Sequence, residues 1–199
     1  MITIMHPSKR LLFGTILAVL AIASVSALAW VFLPNYVGGP QGVGIGHATR
    51  ITDLSDDRKL AGYADSIFFG QVNEELGQSE ERGWPETQFS VKILEVLKGS
   101  VDGEATVNQQ GGFNTRKNST FRMMGDPELL EPGNSYLFVT RPLVRKGWHT
   151  LISGYGDIEI RVSKHATKNE VLGSKHAGEL RERFTDAVEH QVPFDIRNP

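Results

Sequence analysis

A run of 23 residues from Leu11 to Leu33, LLFGTILAVLAIASVSALAWVFL, contains no charged side chain. As a helix it would be about 34 Å long, enough to span a hydrocarbon core of about 30 Å. Lys9 and Arg10 precede it, and the next basic residue is Arg50. By the positive-inside rule residues 1–10 stay in the cytoplasm, 11–33 form a transmembrane anchor, and all that follows lies outside. Trp30 suits the outer membrane interface. The triplet Ala27-Leu28-Ala29 also fits a signal-peptide cleavage pattern, so secretion after cleavage near Ala29 is the alternative. The apolar run continues to Leu33, longer than a signal peptide needs, which favours the uncleaved anchor. Either way the rest of the chain is exported.

Residues 34–50, PNYVGGPQGVGIGHATR, hold five glycines and two prolines and read as a linker. Such a tether spans on the order of 20 Å root-mean-square. The remainder, 51–199, is expected to be one extracytoplasmic domain, long enough to bury a core without disulfides. There are no cysteines, which excludes a disulfide framework, a thiolate zinc site and a lipidated cysteine. Beyond the anchor the chain carries 19 basic and 23 acidic residues, a balance that argues against nucleic acid as a partner.

Within that domain the pattern is mainly β. Ser55 is the expected N-cap of a short helix that opens with Asp56 and Asp57. In SIFFGQV (66–72), Ile67 and Phe69 share one face, and Phe68 and Val72 the other. Residues 73–87 are polar and read as a long loop. The 89–97 run alternates from Phe89 to Ile93 and then turns apolar on both faces, as if passing beneath another layer. Turns are expected at Lys98-Gly99 and Asp102-Gly103. A third strand covers 106–110 and ends at Gly111-Gly112. Residues 113–131 read as irregular, and Glu131-Pro132-Gly133-Asn134 as a turn. Strands are expected at 135–140, 148–153 and 157–162. A closing helix carries Ala177, Leu180, Phe184, Ala187 and Val188 at helical spacing. Five or six short strands with glycine kinks and one or two helices suggest a small closed or partly closed barrel.

ADSIFFGQV (64–72), FSVKILEVLKGS (89–100), TVNQQGG (106–112) and LEPGNSYLFVT (130–140) stand in an order that resembles the OB-fold of netrin-like and TIMP-like modules, as in exported bacterial proteins of that type. The matching positions are Ala64, Asp65, Ile67, Phe68, Gly70 and Val72, then Phe89, Val91, Leu94 or Val96, Lys98 and Gly99. The resemblance covers roughly residues 64–162 and implies a small OB-like barrel followed by an amphipathic helix. It carries no inhibitory function across. The zinc-chelating N-terminal cysteine of TIMP-type inhibitors has no counterpart in a chain without cysteine.

No local catalytic signature is present. The six histidines show no metal-binding spacing, and the pairs Asp56-Asp57, Glu74-Glu75 and Glu80-Glu81 read as solvated charge. A single-strand nucleic-acid site would use Phe68, Phe69 and Phe113 as stacking rings beside Lys92, Lys98, Arg116, Lys117 and Arg122, against the acidic balance. The expectation is therefore a membrane-anchored binding module without catalysis or cofactor. Its partners would be the bilayer through 11–33 and a cell-surface protein, peptide or glycan. A hydrolase or metal-dependent enzyme with a site assembled from distant residues is the competing class. The candidate binding surface comprises Trp84, Gln109, Gln110, Arg116 and Lys117. Gln109 and Gln110 would offer amides at the end of the third strand. Trp84, in a strongly acidic tract, is expected to fold back and plug one barrel end; left exposed, it would anchor a partner.

Overall fold

A computed structural model describes residues 42–46, 53–81, 83–123 and 128–194. The expected anchor 11–33, most of the linker, and the possible cleavage site lie outside them. Among the described residues no helix is long and apolar enough to cross a membrane.

The domain is mainly β. Its strands are β1 (Val43–Gly46), β2 (Ser66–Glu81), β3 (Trp84–Lys98), β4 (Glu104–Asn114), β5 (Ser119–Met123), β6 (Ser135–Leu143), β7 (Trp148–Leu151) and β8 (Asp157–Ile160). Its helices are α1 (Asp57–Tyr63), α2 (Lys168–Gly173) and α3 (Lys175–Glu189). Antiparallel pairs join β4 to β3, β3 to β2, β2 to β6 and β6 to β7. A short parallel pair, Val107 with His149 and Asn108 with Thr150, joins β7 back to β4, so the circuit of pairing returns on itself. β8 extends the edge of β6 ahead of β7, from Ser135 to Phe138.

Strict alternation in the central strands builds two cores. Phe68 and Val72 of β2, Phe89 and Val91 of β3, Val107 of β4 and Phe138 of β6 are buried together in one. Ile67 and Phe69, Leu94, and Leu137 and Val139 point the other way, into a core completed by Leu180, Phe184 and Ala187 of α3. A strand buried on both faces reads as a continuous apolar run, which is why SIFF and YLFV look as they do. The doubly apolar end of β3 lies beneath α3, where Arg181 grips Glu95 with two nitrogens at 2.8 and 2.7 Å. Lys98 Nζ donates to the Ala61 carbonyl and to Gln191 Oε1, both at 2.6 Å, tying the end of β3 to α1 and to the segment after α3.

Several sequence expectations need correction. Residues 73–87 are not a loop: β2 and β3 stay paired out to Glu81 and Trp84, forming a long ribbon that β4 flanks on the β3 side as far as Glu86. Gly111-Gly112 does not end the third strand. β4 runs through both glycines, at φ 140° and 143°, and leaves β3 to pair with β5. Part of the supposedly irregular 113–131 is β5, and part of the supposed linker is β1, paired in parallel with β5. Asp56, not Ser55, caps α1, accepting from Arg58 N at 2.8 Å. The strands expected at 148–153 and 157–162 are shorter, ending at Leu151 and Ile160. The amphipathic C-terminal helix stands as read, with Ala177, Leu180, Phe184 and Ala187 buried.

A half-buried histidine borders the first of the two cores. His149 of β7 stands edge-on to Phe68, ring centres 6.0 Å apart, with Nδ1 3.4 Å from Thr140 Oγ1. Burial holds its imidazole below the ordinary histidine range, because the charged form loses hydration. The unfolded chain therefore takes up the proton first as pH falls. Stability contributed by the neutral ring is full above the unfolded value of about 6.5 and is lost as pH drops below it toward the folded value. We expect the urea midpoint to fall between pH 7.5 and pH 5.5, and to fall less in a His149→Gln variant. Equal losses in the two proteins would assign the effect to other groups.

Candidate functional site

The ribbon positions the site. Past Val72 and Phe89 its strands leave the two cores: Glu74, Glu75, Gln78 and Glu80 on β2 are exposed and Glu86 and Gln88 on β3 half-buried, while Pro85 and Thr87 on the other face of β3 are buried. Backbone pairing with β4 holds β3 as far as Glu86, opposite Gln110, and three further contacts hold the outer ribbon to β4 beyond that point. Thr87 Oγ1 donates to the Gly111 carbonyl at 2.7 Å, and Phe113 N donates to Gln78 Oε1 at 2.9 Å. Gly112 lets the ribbon come close, since a Cβ there would stand 2.6 Å from Gln78 Oε1 and 2.8 Å from Thr87 Oγ1.

At the ribbon's tip Trp84 stacks on Phe121 of β5, ring centres 4.7 Å apart and 25° from parallel. Phe121 is buried at 4 % exposure, whereas Trp84 keeps 47 % of its surface in solvent. The barrel-plug expectation is thus overturned: Trp84 is a half-exposed ledge outside both cores. Lys117, in the turn between β4 and β5, holds Nζ 5.8 Å from the Trp84 ring centre. Its neighbour Arg116 pairs with Glu80 at 3.5 Å. Three of the five residues marked from sequence, Trp84, Arg116 and Lys117, therefore gather at one place.

The other two do not. Gln109 is 2 % exposed; its Oε1 accepts from Leu130 N at 2.9 Å and its Nε2 donates to the Glu128 carbonyl at 3.3 Å. That amide pins the segment after β5 and cannot receive a ligand. Gln110 is half-buried and accepts from Ser153 Oγ at 3.2 Å. Phe68 and Phe69 are fully buried, so they offer no platform for bases.

Beside the tip lies a groove of about 410 Å³, with Glu75, Gln78 and Glu80 of β2, Pro85 of β3, and Phe113 and Thr115 from the end of β4 and its turn. Its size falls in the range of small-ligand sites. Phe113 is 39 % exposed, and Gln78, whose Oε1 is taken by Phe113 N, presents its amino group as a donor. The groove thus combines an aromatic face, an amide donor, a hydroxyl and carboxylate acceptors. A second concavity of about 310 Å³ gathers Glu128, Glu131, Asp157 and Glu159 around Tyr136. Those carboxylates are already engaged: Glu131 with Lys164 at 2.7 Å, Glu159 with Asn134 at 2.7 Å, and Glu128 with Arg122 at 3.5 Å.

Sequence reasoning missed Phe121 and Gln78, and weighed Phe113 only as a stacking ring for nucleic acid. Phe121 stood in a segment read as irregular and Gln78 in one read as loop, and only the fold brings them to Trp84 and Phe113. Among the described residues no three histidine, aspartate or glutamate side chains are grouped to hold a metal ion. Asp57, one of the paired carboxylates, is bound to Arg183 at 2.7 Å. Neither a protein-family model nor a curated protein matches this chain.

Proposed function

We propose that the chain is a membrane-anchored, extracytoplasmic binding module, built on an OB-like barrel and engaging its ligand with the tip of the β2–β3 ribbon. The circuit of β2, β3, β4, β7 and β6, closed by one parallel pair, supports the barrel reading, as does the core enclosed by Phe68, Phe89, Val107 and Phe138. The anchor reading rests on the charge-free run 11–33 and the basic pair before it. The observation that carries the binding role is Trp84: a tryptophan 47 % exposed, held rigid by stacking on a buried phenylalanine, beside a groove of ligand size. Large rigid aromatics of this kind contribute disproportionately to binding. The ligand is a cell-surface protein, peptide or glycan, and the module acts on it by binding alone.

The test compares the full chain with Trp84→Ala against a displayed peptide library and an arrayed set of oligosaccharides. Losing half a stacked pair outside the core is expected to cost about 1 kcal/mol of stability. Affinity for the ligands selected by the wild-type protein is expected to fall at least about tenfold. Selected ligands that bind the variant equally well would remove the ribbon tip from the function.

A further inference from the structure

We propose that the outer face of β1 and β5 rests on the lipid surface, a contact that depends on the anchored reading above. β1 is built inside out. Gly44 and Gly46 face Phe121, so close that a Cβ on Gly46 would lie 2.4 Å from the ring. The apolar bulk of the strand points the other way: Val43 is 53 % and Ile45 62 % exposed. Register extends that face across the sheet. Val43 pairs with Thr120, which pairs with Phe113 at the groove's edge; Ile45 pairs with Arg122. Directly paired residues share a face, so valine, isoleucine and phenylalanine form an apolar step with one guanidinium set among them. Arg122, on this face by register and one-third exposed, is bound to Glu128 at 3.5 Å, and its guanidinium is the group here that a phosphate headgroup could pair with.

The occupant follows from the length of chain before β1. Nine residues, 34–42, separate the charge-free run from Val43. However they are arranged, ten backbone steps reach no farther than about 36 Å. If Leu33 marks the outer edge of the hydrocarbon, β1 stays within that distance of the bilayer. Three exposed apolar side chains would bind free vesicles poorly. Tethered beside a membrane, they meet it at a high effective concentration, and a weak contact suffices.

The absence of native cysteine makes the test clean. Full-length chain in phosphatidylcholine nanodiscs would carry a nitroxide on Val43→Cys, Ile45→Cys or, as a water-facing reference, Val144→Cys, which is 87 % exposed. Oxygen concentrates in lipid, and an anionic or neutral nickel chelate stays in water. We expect the ratio of oxygen to nickel collisions at 43 and 45 to exceed that at 144 by at least about fivefold, as for side chains set in the headgroup boundary. Ratios at all three sites within experimental error would overturn the proposal. Low collision with both reagents, accompanied by dipolar broadening between labels, would overturn it in favour of contact between two copies. Failure of the anchored reading shows separately, as extraction of the unlabelled chain from membranes by alkaline carbonate.

Discussion

Phe68→Ala should cost about 3–5 kcal/mol, measured as a lowered urea midpoint with an unchanged slope. Phe68 has no exposed surface and sits between two neighbouring strands, opposite Val96 of β3 and Phe138 of β6. Its ring lies 5.3 Å from that of Phe138 and edge-on to His149. Truncation removes a ring whose neighbours are pinned by ladders on both sides, so the hole cannot collapse. A domain of this size has only about 5–15 kcal/mol to lose. Val144→Ala, at a site 87 % exposed, should leave the midpoint where it was. A shift for Phe68→Ala worth under about 1 kcal/mol would mean that no packed interior exists at that position.

The same residues show what the sequence could convey. Alternation in 66–72 and 135–140 separates Phe68 and Phe138 from Ile67, Phe69, Leu137 and Val139, and the structure places the two sets in different cores. Burial wrote that pattern, so burial could be read back from it. The ribbon carries no such record. Its strands leave the core, their outer halves carry mostly polar side chains with no apolar alternation, and a polar strand held by its partner's backbone looks like a loop. β1 misled for a related reason. Glycines alternating with Val43 and Ile45 look like a linker, yet Gly46 is small because Phe121 lies against it. Thr167 shows a signal passed over. The sequence Thr-Lys-Asn-Glu is a capping box, and Thr167 and Glu170 form one at the start of α2. Trp84 stood out in the sequence as a tryptophan in an acidic tract, and the structure leaves it half-exposed. Its direction was not legible, because the buried surface beneath it belongs to Phe121, 37 residues away in sequence.

Gly70 offers a second large effect with a different physical origin. It is buried in β2, paired with Ile93 on one side and Tyr136 on the other. Its backbone lies outside the left-handed region, so a side chain meets no conformational objection there; the obstacle is space. A Cβ would stand 2.6 Å from Val91 Cγ1, 3.0 Å from Phe138 Cε2 and 3.2 Å from the Lys92 carbonyl oxygen. Gly70→Ala should therefore cost about 1–3 kcal/mol, and Gly70→Val more, since two further methyl groups must enter the same core. The nearest atom belongs to a side chain that can be shortened. Val91→Ala removes it and carries its own cavity cost. In the double variant the two costs should not add: part of the room the alanine at 70 needs is what the valine at 91 gives up. A coupling of about 1 kcal/mol or more is expected from a double-mutant cycle in urea. Strict additivity would show that Val91 is not what keeps this position a glycine, and would leave the Phe138 ring and the Lys92 backbone, which cannot yield as easily, as the reason.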